Sequence, residues 1–220
     1  MPIKRLLDIL ICLPICIFLA VFMLVIAIII KIDSPGPILF KQERVGLHKK
    51  SFKIWKFRTM RTNTPKDMPT HMLSNPDAYI TRFGRIARKY SIDEFPQFYQ
   101  VLFTGVCSVC GPRAALWNQS DLIEERDKYG ANDVKPGITG WAQINGRDEL
   151  EIPIKAKLDG EYVKKFGFLM DAKCFFGTFI SVLRHEGVVE GGTGNIRKQN
   201  IETKRFEECV DETYINNRSQ

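Results

Sequence analysis

Residues 9–30 read ILICLPICIFLAVFMLVIAIII, 22 positions without a charge. At ~1.5 Å per residue a helix of that length reaches ~33 Å, enough for a hydrocarbon core of ~30 Å. The run is longer than the ~7–15 apolar residues of a signal-peptide core, and no Ala-x-Ala-like cleavage site follows it, so it is expected to stay as an anchor. Two topologies are open. A spanning helix would leave a tiny external N-terminus. A re-entrant helix would enter and return on one face. Pro14 interrupts the run and removes a backbone donor, and both flanks are basic, with Lys4 and Arg5 before it and Lys31, Lys41 and Arg44 after it. Those two features suit the re-entrant form, which is the expectation here.

Outward from the anchor, the charge pattern agrees with a membrane. The net charge is +7 over 220 residues. Residues 1–61 hold eleven Lys and Arg against Asp8, Asp33 and Glu43, while the rest of the chain is nearly balanced. Basic residues beside an apolar segment favour the cytoplasmic side and anionic headgroups. A nucleic-acid partner is not expected, because the basic excess hugs the anchor and no base-reading module appears. The length allows one compact domain of ~100–200 residues beyond the anchor. The expected division is a membrane helix at 1–33, a cytosolic domain at 34–188 and a tail at 189–220.

Ser34-Pro35-Gly36-Pro37 is a hard stop. Residues 38–42 and 52–57 then read as a β-hairpin, and the polar, proline-bearing stretch 62–77 as a loop. Arg82, Arg85, Arg88 and Lys89 fall at helical spacing. Further helices are expected at 93–103, 116–129, 153–166 and 170–186, with a turn-rich linker at 135–140. The fold class is therefore α-rich α+β: a re-entrant membrane helix, then a compact cytoplasmic domain with a β-hairpin and amphipathic interfacial helices. Among six cysteines, Cys107-Ser108-Val109-Cys110 is a lone CxxC, and His48, His71 and His185 are too scattered to complete a zinc site. Free thiols in a reducing compartment are expected. Gly191-Gly192-Thr193-Gly194 does not satisfy GxGxxG and follows a helix, so it is no dinucleotide loop.

Asp93 and Glu94 lie in Ser91-Ile92-Asp93-Glu94-Phe95-Pro96-Gln97. Ser-x-x-Glu before an apolar run reads as a capping box with Ser91 as N-cap. Pro96 argues against that register, since it would fall at the fifth helical position and lack a needed N–H. With Asp93 as N-cap, Pro96 falls at the third, where the N–H is an orphan anyway. Both carboxylates would then stand at a positive helix end that favours their ionised form. The same end, with Arg85, Arg88 and Lys89 just upstream, would attract phosphate. An ionised Asp beside a bound phosphate, and a carboxylate able to hold Mg²⁺ with phosphate oxygens, together describe a phosphoryl-transfer site.

Several ordered motifs extend this. They are Lys4-Arg5-Leu6-Leu7-Asp8, Asp33-Ser34-Pro35-Gly36-Pro37, Phe40-Lys41-Gln42-Glu43-Arg44-Val45-Gly46, Trp55-Lys56-Phe57-Arg58-Thr59-Met60, Arg88 to Gln97, Gly111-Pro112-Arg113, Lys135 to Gly140, and Asn145-Gly146-Arg147. Over residues 4 to about 188 the chain resembles the small monotopic polyprenyl-phosphate phosphoglycosyl transferases, the bacterial sugar transferase family. The resemblance implies that Asp93 attacks the β-phosphorus of a UDP-sugar, releasing UMP and leaving a phosphosugar–aspartyl intermediate. Glu94 would bind Mg²⁺, and polyprenyl (undecaprenyl) phosphate would accept the phosphosugar. Arg88 and Arg113 would hold phosphates, Asp159 and Asp171 would support the site, and Arg58 and Arg147 are further candidates. It also implies the bacterial cytoplasmic membrane, with the site on the cytoplasmic face and membrane lipid as a partner; a homo-oligomer is left open. The sequence departs from the family pattern at three places. Ala20-Val21 stand where a Ser-Pro pair usually breaks the anchor, Gly105-Val106-Cys107-Ser108 replaces Gly-Asp-Met-Ser, and Ala114 replaces a proline. The departures at 105–114 keep one alternative open: a catalytically impaired, membrane-anchored relative that scaffolds glycan assembly.

Overall fold

A computed structural model describes residues 2–64, 78–146 and 150–184, with side chains to residue 181. The expected loop at 65–77, Arg147 and the expected tail at 189–220 lie outside the described residues. Helix α1 (Pro2–Asp33) runs unbroken through Pro14 for 32 residues and is long and apolar enough to cross a membrane. It nevertheless lies along the domain. Asp8, Cys12, Cys16, Leu19, Ile26 and Ile30 are its buried positions, and their spacing places them on one stripe. The opposite face exposes Ile17, Phe18, Val21, Leu24 and Ile32. An apolar surface of that extent belongs in lipid.

Both ends of α1 are fastened. Lys4 Nζ donates to Asp171 Oδ2 at 2.6 Å, and Arg5 donates to the carbonyls of Val101 and Leu102. Asp8 accepts from Ser108 Oγ at 2.7 Å and from the Val109 amide at 3.0 Å. Midway, Tyr99 Oη donates to the Cys16 carbonyl at 2.6 Å. At the far end, Asp33 Oδ2 accepts from the Phe83 amide at 2.9 Å. Lys4 and Arg5, which the sequence suggests for headgroups, are therefore held by protein. The physical reason is local: Asp171 supplies a counter-charge, and the last carbonyls of the helix ending at Thr104 form its negative pole.

Strands β1 (Leu39–Val45) and β2 (Ser51–Phe57) form the expected antiparallel hairpin. Helix α2 (Arg82–Lys89) follows, with Thr81 Oγ1 capping the Gly84 amide. A 3₁₀ turn over Ile92–Glu94 leads into α3 (Pro96–Thr104). The amide of Gln100, from α3, accepts from the Trp55 N–H and donates to the Lys53 carbonyl, which satisfies the outer edge of β2 and fixes it to α3.

The linker expected at 135–140 contains a strand. β3 (Ser108–Cys110) pairs in parallel with β4 (Gly137–Thr139). Three-residue strands are too short for alternation to reveal them; what makes the pair is the absence of side chains, since a Cβ on Gly137 would lie 2.1 Å from the Gly111 nitrogen. Helix α4 (Ser120–Asp127) is shorter than the expected 116–129, because Leu116 bridges to Arg44 and its amide bonds Gln119 Oε1 instead. After α5 (Trp141–Ile144), helices α6 (Ile152–Lys164) and α7 (Phe168–Arg184) fall where the periodicity puts them. α7 turns Met170 and Cys174 to the core and leaves Phe168, Leu169, Phe176 and Phe179 exposed.

The main core joins Cys12, Val101, Cys107, Val109, Cys110, Tyr162, Met170 and Cys174, and a second cluster joins Ile26, Ile30 and Phe57. α1 contributes to both, so it is part of the fold as well as an apolar surface. The described cysteines are all free and buried. Burial, with the nearby charge of Asp8, pushes the Cys107 thiol up to about 12, so it is packed as a small apolar group.

Candidate active site

The carboxylate pair sits between α2 and α3. Neither expected capping register occurs. Ser91 takes a left-handed conformation (φ 55°, ψ 24°) and makes no side-chain cap bond. Pro96 is the first residue of α3, where a missing N–H costs nothing, so the α-helix starts three residues after Asp93. Asp93 and Glu94 therefore precede the helix in the tighter 3₁₀ turn, both buried. A left-handed serine beside such a pair is mildly strained, a feature that concentrates at functional sites.

Two cations reach the pair from other elements. Lys56, on β2, places Nζ 2.8 Å from Glu94 Oε1 and 3.4 Å from Asp93 Oδ2. Arg113, just after β3, places Nη2 2.7 Å from the same Glu94 oxygen. Arg113 is held there by its bridge to Gly137, so the close glycine crossing of β3 and β4 aims it at the site. This explains why Gly111-Pro112-Arg113 and Lys135-Pro136-Gly137, distant in sequence, occur together. The stretch 105–114, where the sequence departs from the family pattern, still delivers Arg113 to Glu94.

Of the other candidates, Arg88 lies half-buried in the last turn of α2, whose C-terminus leads directly into the acidic turn. Arg58 is buried and binds the Ser34 and Pro35 carbonyls, tying β2 to the end of α1. Asp159 accepts two bonds from Arg126, at 2.8 and 2.6 Å, between α4 and α6. Asp171 accepts from Lys4 and from Tyr162 Oη, each at 2.6 Å. These three candidates bind other parts of the scaffold, and Arg113 reaches the Asp93–Glu94 pair directly. Sequence reasoning missed Lys56 as a site residue. Its signal was available: on β2 it shares a face with Phe52 and Ile54, and a lysine at a core-facing strand position needs a counter-charge.

The buried and half-buried carboxylates are held unequally. Asp8, Asp159 and Asp171 each accept two short hydrogen bonds. Among the described residues, Asp93 receives one contact, at 3.4 Å. Its side chain is mostly buried, with the Lys56 ammonium beside it, and is little engaged. That is the condition a nucleophilic carboxylate needs. As a metal site the pair is incomplete, since no group of three or more His, Cys, Asp or Glu gathers among the described residues. It fits Mg²⁺ only where substrate phosphate oxygens fill the remaining positions.

The sequence pattern of the bacterial sugar transferases matches residues 1–185. The chain belongs to that family. The transferase is 38% identical to an uncharacterized sugar transferase, EpsL, of Bacillus subtilis (strain 168), over 86% of this chain and 91% of that protein. It is 40% identical to the UDP-glucose:undecaprenyl-phosphate glucose-1-phosphate transferase of Escherichia coli (strain K12), over 68% of this chain and 33% of the other. A third relative is a UDP-N-acetylgalactosamine-undecaprenyl-phosphate N-acetylgalactosaminephosphotransferase of Aeromonas hydrophila, 35% identical over 82% of this chain and 44% of that protein. The transferase thus spans most of the small relative and less than half of the two longer ones.

Proposed function

We propose that the transferase moves a sugar-1-phosphate from a UDP-sugar to undecaprenyl phosphate, the first membrane step in building a bacterial glycan such as an exopolysaccharide, a capsule, an O-antigen or a glycoprotein glycan. The single observation that carries the mechanism is the loosely held carboxylate of Asp93 among firmly held ones. An Asp93 oxygen forms a bond to the β-phosphorus, the bond to the UMP oxygen breaks, and UMP leaves. An oxygen of the lipid phosphate then bonds to that phosphorus, and the Asp93 carboxylate is released unchanged. Arg113 stands ready to hold transferring phosphate oxygens, and Arg88 is placed at the entrance to the acidic turn for the same purpose. Magnesium bound through Glu94 would neutralise charge on the diphosphate. Arg113 still reaches Glu94, which favours an enzyme over the scaffold alternative.

The mechanism is tested by incubating the protein with a UDP-sugar and no lipid acceptor, then measuring intact mass. One added phosphosugar mapping to Asp93 is expected; unmodified protein alongside continued UMP release would rule the intermediate out. Activity should vanish in excess EDTA. The sugar would be identified by a UDP-sugar panel scored for UMP release with undecaprenyl phosphate present, and we expect an N-acetylated amino sugar, from the resemblance of 61–81.

We further propose that α1 keeps both ends on the cytoplasmic face. In support, Lys4, Arg5 and Asp8 at one end and Asp33 at the other bind the same domain. A spanning helix would have to give up one set, leaving the buried Asp8 or the half-buried Asp171 without partners. Pro2→Cys should resist an impermeant thiol reagent in intact spheroplasts; clear labelling would establish a spanning helix.

A further inference from the structure

We propose that Lys56 and Arg113 form a cation lock on Glu94, so that the site rejects a free divalent ion and admits one only together with a diphosphate. This rests on the reaction proposed above and adds its binding order. Lys56 Nζ and Arg113 Nη2 lie 2.8 and 2.7 Å from one oxygen, Glu94 Oε1, and Lys56 also faces Asp93. The four groups joined by these contacts carry two positive and two negative charges. Their side chains are between 9% and 27% exposed, so water screens them little.

A divalent ion at the ~2.0–2.1 Å of a magnesium–oxygen bond to this carboxylate would lie beside both cations. It would also add two positive charges to a poorly solvated place that already holds both cations. The protein gathers no third carboxylate, histidine or cysteine there, among the described residues, to offset that. A nucleotide diphosphate changes the balance. It brings at least two negative charges and the missing oxygen ligands, and it offers the Arg113 guanidinium a paired-oxygen partner in place of Glu94. Metal and diphosphate then neutralise each other, and each raises the affinity of the other by the same factor.

The test uses the full chain in detergent and reads Mn²⁺ binding by electron paramagnetic resonance, alone, with UDP and with pyrophosphate, against protein-free blanks. Either diphosphate should tighten Mn²⁺ binding by about 10-fold or more, within the usual range of coupling between two ligands. Lys56→Met and Arg113→Met should each bind Mn²⁺ alone about 10-fold more tightly than the wild type. Circular dichroism and melting confirm that the variants are folded, and Lys56→Gln and Arg113→Gln serve if they are not. Wild-type protein that binds Mn²⁺ alone as tightly as the folded variants overturns the lock. So does equal wild-type affinity with and without both diphosphates. Tightening by pyrophosphate but not by UDP upholds the lock and overturns the nucleotide-sugar reading instead.

Discussion

Two regions of the transferase bury charge, and they do so in opposite ways. Where α6 meets α1, α4 and α7, Lys4, Asp171, Tyr162, Arg126, Asp159 and Asp8 make short bonds to one another, to Ser108 or to backbone. The single Tyr162 O–H proton lies between Asp171 Oδ1 at 2.6 Å and the Cys110 carbonyl at 3.0 Å, and burial with the neighbouring Asp171 pushes the phenol well above the usual range. In the acidic turn, one Glu94 oxygen is shared by two cations and Asp93 is barely touched. Desolvating an ion is tolerable when its hydrogen-bonding capacity is used. The first region meets most of that condition internally, with Asp159 Oδ1 as the exception. The second leaves capacity for an incoming phosphate, and that is how a binding site differs from a structural ion cluster of equal burial.

The comparison fails most visibly if Asp93 is dispensable. Asp93→Asn should lower UMP release by at least ~10³-fold, since the nucleophile is lost while the shape is kept. Its melting temperature should stay within ~2 °C, because little is bonded to that carboxylate. A variant that turns over normally would place Asp93 with the structural acids. The reverse holds in the first region. Arg126→Met leaves Asp159 buried and unpaired, and should cost ~3–5 kcal/mol in denaturant unfolding, with turnover per folded molecule nearly unchanged. A large drop in turnover without loss of stability would move Asp159 into the site.

Arg113→Ala and Arg88→Ala should each lower kcat/KM by ~10²-fold, about 3 kcal/mol of transition-state binding. Near-wild-type kinetics for both would confine them to the surface. The smallest effect sharpens the picture of α1 as part of the fold. Tyr99→Phe removes the bond to the Cys16 carbonyl and should cost ~1 kcal/mol of stability, with kinetics unaltered. No measurable change would mean that the middle of α1 is held by apolar contact alone.

Much of this was legible in the residues because it depends on local pattern. The uncharged run marked α1, and apolar segments set off by turn residues marked the hairpin, α6 and α7. Pro96 showed that a Ser91 cap would fail, although the helix start it selects lies later than Asp93. What periodicity cannot carry is pairing between distant segments. β3 and β4 are too short to alternate, and their pairing depends on glycines at 111 and 137 meeting backbone to backbone. Arg58, Asp159 and Asp171 carry the right chemistry for a site, and only the tertiary structure shows which groups they hold.

The sequence by itself determined the family, the apolar anchor and the acidic pair, since composition, spacing and ordered motifs are properties of the chain alone. The tertiary structure decided which charges answer which. It turned Lys4 and Arg5 inward to the domain, brought Lys56 and Arg113 onto one oxygen of Glu94, and left Asp93 lightly held. Electrostatic energy depends on distance and burial, and neither is fixed by position along the chain until the fold closes.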